Sequence, residues 1–145
     1  KGQIAFPGGK AEPEDVDLVA TALREAFEEV ALNPEVVQIV GPMGQVLSRQ
    51  GFVVTPIVAV VPASVVSQLT PNLGELDRIF TVPVRFLVDS KPVMDPLPIA
   101  AGVTQVPSFY YDEYRICGMT AFILAEFVNL AFDGRIDLYV ENGPA

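Results

Sequence analysis

The segment Arg24-Glu25-Ala26-Phe27-Glu28-Glu29 gathers one guanidinium and three carboxylates into six residues. On an α-helix turning 100° per residue, Glu25, Glu28 and Glu29 share an arc of about 100° with Arg24 at its edge, and Ala26 and Phe27 face the core. Carboxylates so crowded repel one another, and like charges at i,i+4 cost a helix a few tenths of a kcal/mol. A hard divalent cation turns that repulsion into ligation, because Mg²⁺ and Mn²⁺ prefer carboxylate oxygens and water. The plainer reading of a Glu-rich helix is a solvated acidic face. What weighs against it is the turn upstream, Phe6-Pro7-Gly8-Gly9, whose carbonyls can reach a metal and whose glycines let a phosphate approach the main chain.

Composition removes most other chemistries. The chain holds no histidine and one cysteine, Cys117. A Ser-His-Asp triad, a histidine base, a disulfide and a multi-cysteine metal site are therefore excluded. Eighteen acids against nine bases give a formal charge of −9. Such a balance argues against a nucleic-acid-binding surface, which needs clustered Lys and Arg, yet permits a phosphorylated small molecule bridged by a dication. The longest apolar run, Phe52 to Val66, is cut by Pro56 and Pro62, so no membrane span is expected. A length of 145 residues, half of them apolar, suits a single domain, 1–145, with a real core. Cys117, set among apolar neighbours, is expected to be a buried small hydrophobe rather than a nucleophile.

Elements must position these groups. Ile4–Phe6 reads as a short strand running into the Pro7-Gly8-Gly9 turn. A helix over Val16–Ala31 carries the carboxylates, with Val16, Val19, Leu23, Ala26, Phe27 and Val30 as its buried stripe and Asn33-Pro34 as its stop. Asp15 aids the site through supporting contacts or caps that helix, and capping is the favoured expectation. Val36–Val40, Phe52–Val61 and Ile79–Val82 read as strands, Gly44–Gly51 as a hairpin loop, and Pro71–Asp77 as a loop. One helical turn is expected at Val84–Val88, and an irregular, proline-rich excursion over 89–107. Val106–Tyr111 and Tyr114–Cys117 read as strands. Gly118–Phe132 is a second long helix, with Ala121, Leu124, Ala125, Val128 and Phe132 inward.

Gly9, the acidic run to Asp15, and Arg24-Glu25-Ala26-Phe27-Glu28-Glu29-Val30-Ala31-Leu32 resemble the Nudix box, G-x5-E-x7-R-E-U-x-E-E-x-G-U with U apolar. The spacing from Gly9 to Arg24 is one residue longer than the general pattern, Ala31 replaces the final glycine, and Asp15 stands at the first glutamate. Gly2-Gln3-Ile4-Ala5-Phe6-Pro7-Gly8-Gly9 is similar to the end of the coenzyme A pyrophosphatase signature, a subfamily that shares the longer spacing and the Thr21-Ala22-Leu23-Arg24-Glu25-Ala26 wording. Val54–Val58, Glu75–Pro83 and Gly118–Ala121 look like later landmarks of the same subfamily. The resemblance covers roughly residues 2 to 130.

The resemblance implies an α/β Nudix fold, a mixed β-sheet sandwiched between helices. It also implies a metal-dependent hydrolase that cleaves the diphosphate of coenzyme A, or of its acyl or oxidised forms, to 3′,5′-ADP and 4′-phosphopantetheine. Mg²⁺ or Mn²⁺ would be held by Glu25, Glu28, Glu29 and the Gly9 carbonyl, with Arg24 orienting a box glutamate. The general base is a box glutamate, Glu25 or Glu29, or one from a distant loop, where Glu75 serves as base or extra ligand. Glu12, Glu14 and Asp17 read as solvated charges. Lys10, Arg49, Arg78 and Arg115 are the cations available to a substrate phosphate, and Tyr110, Tyr111 and Tyr114 the aromatics available to adenine. Two alternatives stay open: a Nudix hydrolase of ADP-ribose, a dinucleotide or a nucleoside triphosphate, and a catalytically silent nucleotide- or protein-binding Nudix domain. No nucleic-acid or membrane partner is expected, and a homodimer is compatible with the sequence. Lys1 is not a natural start, so an N-terminal piece is expected to precede it. Glu141-Asn142-Gly143-Pro144-Ala145 carries no recognisable address, and the compartment, cytoplasmic or organellar, is left open.

Overall fold

The computed structural model describes residues 2–141; Lys1 and residues 142–145, which include most of the two chain ends just considered, lie outside it. The backbone falls into two compact units, one of Ala5–Phe80 and one of Gly2–Ile4 with the residues from Thr81 onward. Both combine helices with antiparallel strands, the α/β class expected, and the architecture is consistent with the fold implied above.

In the first unit, helix α1 spans Leu18–Val30. It begins two residues later than its apolar periodicity suggests, because Asp17 takes an extended backbone (φ −162°, ψ 179°) and accepts from the Ala20 N–H at 2.8 Å, the geometry of an N-cap. The cap is thus Asp17, not Asp15. Val16, placed before that cap, is 88% exposed, and Phe27 is 57% exposed, so neither belongs to the buried stripe. Val30 is buried and Val19, Leu23 and Ala26 are half-buried. Helix α1 ends at Ala31 in the left-handed region (φ 57°), with the Ala31 N–H on the Phe27 carbonyl at 3.0 Å and the Leu32 N–H on the Ala26 carbonyl at 3.3 Å.

Beyond α1 the strands are shorter than the β-branched runs imply. Asn33 caps a 3₁₀ turn over Pro34–Val36, which delays strand β1 to Gln38–Pro42. The run Phe52–Val61 is divided into β3 (Val53–Val54) and β4 (Ile57–Val60). Pro56, between them, has no N–H to give a ladder. β1 pairs with β4, with a bulge between Ile39 and Gly41. The expected loop Gly44–Gly51 itself contains strand β2 (Val46–Leu47), which pairs with β3. A short helix, α2, covers Ala63–Val66. The Ile4–Phe6 and Ile79–Val82 strands are absent: neither segment joins a ladder.

The second unit opens with α3 (Val84–Asp89). The largest departure from expectation follows, since the proline-rich stretch is a regular hairpin of β5 (Val93–Ile99) and β6 (Gly102–Tyr111). Proline is compatible here because of register. Pro96 and Pro98 have the same parity on β5, whose described partner is β6 alone, so both nitrogens can face the free edge. Pro107 on β6 falls between the stretch paired with β7 (Tyr114–Ile116) and the stretch paired with β8 (Val140–Glu141). Helix α4 covers Gly118–Phe132 as expected and lies against β6 and α3. Its Thr120, Ala121, Ile123, Ala125 and Val128 are buried with Phe109 and Ile116 beneath, whereas Phe132 is exposed, one ring-width from Phe127 at 5.8 Å. Residues 2–4 join this unit where the Ile4 carbonyl accepts from the Thr120 hydroxyl at 2.9 Å. Cys117 sits before α4 and is exposed, contrary to its expected burial: the chain turns there into the helix, and its side chain is left outside. Among the described residues, no helix is long and apolar enough to cross a membrane.

Candidate functional site

Arg24 is the hub of the first unit's charged cluster. Its Nε and Nη2 donate to the two oxygens of Asp15 at 3.1 and 3.0 Å, a bidentate fork. Nη2 also donates to the Lys10 carbonyl at 3.0 Å, which ties the loop after Gly9 to the helix. The remaining nitrogen, Nη1, reaches Glu25 at 3.0 Å and Glu28 at 3.4 Å, and Glu12 more loosely at 3.8 Å. Asp15 further accepts from the Thr21 hydroxyl and the Glu12 N–H, both at 2.9 Å. The Arg24 guanidinium and these donors hold the Asp15 carboxyl far below the ordinary aspartate range, and Asp15 in turn raises Arg24 above its usual value.

Two backbone segments close on the carboxylates. The Gly8 N–H donates to Glu29 Oε2 at 3.3 Å. Gly9 lies so near Glu25 that a Cβ at this position would displace its carboxylate from where it stands. At the C-terminal end of α1, the Thr70 N–H donates to the Val30 carbonyl at 3.0 Å and the Asn72 N–H to the Glu29 carbonyl at 2.8 Å. These bonds satisfy helix-end carbonyls and dock the loop carrying Glu75, itself fixed by its N–H on the Asn72 carbonyl at 2.9 Å. Burial pushes the Glu29 carboxyl above the ordinary glutamate value; the Gly8 hydrogen bond opposes this, while the charges of Glu25, Glu75 and Glu28 push further upward.

Every expected catalytic and metal-ligating residue therefore lies in the first unit, with Glu25, Glu28 and Glu75 near enough to Glu29 to perturb it. The donor set consists of hard oxygens, and its mutual repulsion is the condition a dication relieves, so the chemistry of the residues fits Mg²⁺ or Mn²⁺. Glu25 and Glu28 are engaged by Arg24 Nη1, and among the described residues no three acids stand as a ready-made cage.

Sequence reasoning weighed a supporting role for Asp15 but preferred capping, and it missed the structural roles of Asp17 and Thr21. Spacing offered one usable signal, since Thr21 and Arg24 stand three residues apart on one helical face, where both can meet a single acid. Of the cations considered for substrate, Lys10 lies 4.6 Å from the centroid of the Phe52 ring, and Arg49 and Arg78 are exposed. Arg115, in the second unit, is bound to Asp95 at 2.6 Å. Ser108 also donates to Asp95, and both contacts lower the Asp95 carboxyl. Tyr110 is exposed, Tyr114 is half-buried, and Tyr111 packs on Phe86 at 4.9 Å. A cavity lined by Phe86, Ser90, Lys91 and Tyr110 belongs to the second unit and touches none of the α1 carboxylates.

Comparison with known proteins gives a consistent result. The NUDIX domain model matches residues 1–94. A protein of Photorhabdus laumondii called "Uncharacterized Nudix hydrolase NudL" is 38% identical over 125 residues, covering 85% of this chain and 65% of the relative. Proteins of the same name from Yersinia pestis (strain Pestoides F) and Yersinia pseudotuberculosis serotype O:1b are each 47% identical over 124 residues, or 85% of this chain and 61% of theirs. The chain thus spans less than two thirds of the length of these relatives.

Proposed function

The chain belongs to the Nudix family, and from that premise we propose that it is a metal-dependent pyrophosphohydrolase whose substrate is coenzyme A or an acyl or oxidised derivative of it. The observation that carries the reading is the meeting of the Gly8-Gly9 turn, the Glu75 loop and the α1 carboxylates around Glu29 in one unit. The coenzyme A assignment rests on the Gly2–Gly9 wording and the one-residue-longer box, features the sequence shares with that subfamily.

Glu25, Glu28 and Glu29, with the Gly9 carbonyl, would hold Mg²⁺ or Mn²⁺, which neutralises diphosphate oxygens and acidifies water when bound. Arg24, anchored by Asp15, orients Glu25 and Glu28 and keeps their charges from forcing the helix apart. Attack by water on phosphorus breaks the bridging P–O bond, and Glu29 or Glu75 takes the water's proton. The products are 3′,5′-ADP and 4′-phosphopantetheine. A partially buried carboxylate ringed by like charges, as Glu29 is, binds a proton more readily than a solvated one.

A substrate panel with Mg²⁺ or Mn²⁺ tests this. Coenzyme A should be cleaved faster than ADP-ribose, a dinucleotide or a nucleoside triphosphate. Rapid cleavage of ADP-ribose with inert coenzyme A would reassign the substrate, and nucleotide binding without any turnover would make the domain a silent one.

A further inference from the structure

Where α1 stops, its last carbonyls need donors from outside the helix. The Ala31 N–H returns to Phe27 and the Leu32 N–H to Ala26, so the Glu29 and Val30 carbonyls are met from the loop after α2, by Asn72 at 2.8 Å and Thr70 at 3.0 Å. Pro71, between them, has no N–H to offer. Asn72 does more than close the helix. Its carbonyl accepts from the N–H groups of Glu75 at 2.9 Å and Leu76 at 2.8 Å, and its side-chain oxygen accepts from the Gly74 N–H at 3.2 Å. The last bond, from a side chain to the amide two residues on, is an Asx turn. A single residue thus bonds the main chains of both Glu29 and Glu75, whose carboxylates are close enough for the charge of one to be felt at the other. Leu73 is 80% exposed, and Asn72, Gly74 and Glu75 are exposed as well. With so little burial to hold it, the turn takes its shape from its hydrogen bonds. Any residue but proline can make the backbone bonds of Asn72; the Asx bond needs its side chain.

We infer that Asn72 is a positioning residue for the proposed reaction, its side chain fixing the turn that sets Glu75 beside Glu29. The inference rests on the diphosphatase reading above and on Glu75 serving there as base or extra ligand. Without the Asx bond the Glu75 loop stays attached to α1 by its backbone but loses its fixed shape, and a carboxylate displaced by about 1 Å from its working position costs rate rather than substrate affinity.

The test compares wild type with Asn72→Ala, Asn72→Ser, Glu75→Gln and the double variant Asn72→Ala with Glu75→Gln, using the full chain with Mg²⁺ and coenzyme A. Asn72→Ala should lower kcat about fivefold with KM within about twofold, and Asn72→Ser, whose hydroxyl makes the same turn more weakly, should recover part of the loss. Because Asn72 acts through Glu75, adding Asn72→Ala to Glu75→Gln should lower kcat by less than about twofold further. A wild-type kcat in Asn72→Ala, no recovery in Asn72→Ser, or a full further loss in the double variant overturns the inference. So does a wild-type rate in Glu75→Gln, which leaves Asn72 nothing to act through. If wild type cleaves no diphosphate substrate, the diphosphatase reading fails separately, and amide hydrogen exchange decides the role of Asn72. Exchange at Gly74, Glu75 and Leu76 at least about fivefold faster in Asn72→Ala, with Asn72→Ser in between, supports it as the residue that sets Glu75, and unchanged exchange removes it.

Discussion

Asp15 and Arg24 show how one side chain determines what another is free to do. With Nε and Nη2 committed to Asp15, only Nη1 faces Glu25 and Glu28, and the guanidinium plane cannot rotate away. A lysine at this position has no planar fork and would lose the arrangement. Arg24→Lys should therefore lower turnover by about tenfold or more while the helix persists, as read by steady-state rates beside far-ultraviolet circular dichroism. Glu28→Gln and Glu29→Gln keep the size of the side chain and remove the charge. Each should cut turnover by at least about 100-fold with an unchanged melting curve. A near-wild-type rate in either variant would remove that residue from the proposed metal set.

At the scale of elements, the ends of α1 matter more than its middle. Asp17 satisfies an orphan N–H at one end, and Asp17→Ala should cost about 1 kcal/mol in denaturant unfolding. At the other end Ala31 holds φ 57°, a conformation that suits glycine. Ala31→Gly should stabilise the protein by about 1 kcal/mol, raising its melting temperature by about 3 °C. The two long helices were legible because their apolar spacing persists over several turns. α4 runs over Gly118–Phe132 as read, and α1 differs only at its ends. The carboxylates and glycines of the site were legible as residue types at fixed spacing. Asp15 was misread because capping depends on backbone angles, and Asp17, two residues on, has the extended angles required. The β5–β6 hairpin was hidden because composition cannot reveal that its prolines fall at free-edge positions.

For the whole molecule, acid should be the condition that loosens both units. Asp15 in the first unit and Asp95 in the second have carboxyls lowered by arginine and hydroxyl partners. A carboxyl with a depressed value in the folded state stabilises the fold above its ordinary value, near 3.8, and that contribution is lost as pH falls further. The melting temperature should thus decline from about pH 5 to about pH 3, and Asp15→Asn should flatten that decline. The same charge logic governs the proposed activity, because the α1 carboxylates and Glu75 crowd a chain already at −9. Anomalous diffraction from a crystal soaked in millimolar manganese with a diphosphate substrate analogue tests this most directly. A manganese peak bounded by Glu25, Glu28, Glu29 and the Gly9 carbonyl is the expected result, and a substrate-bound crystal with no ion beside that turn would contradict it.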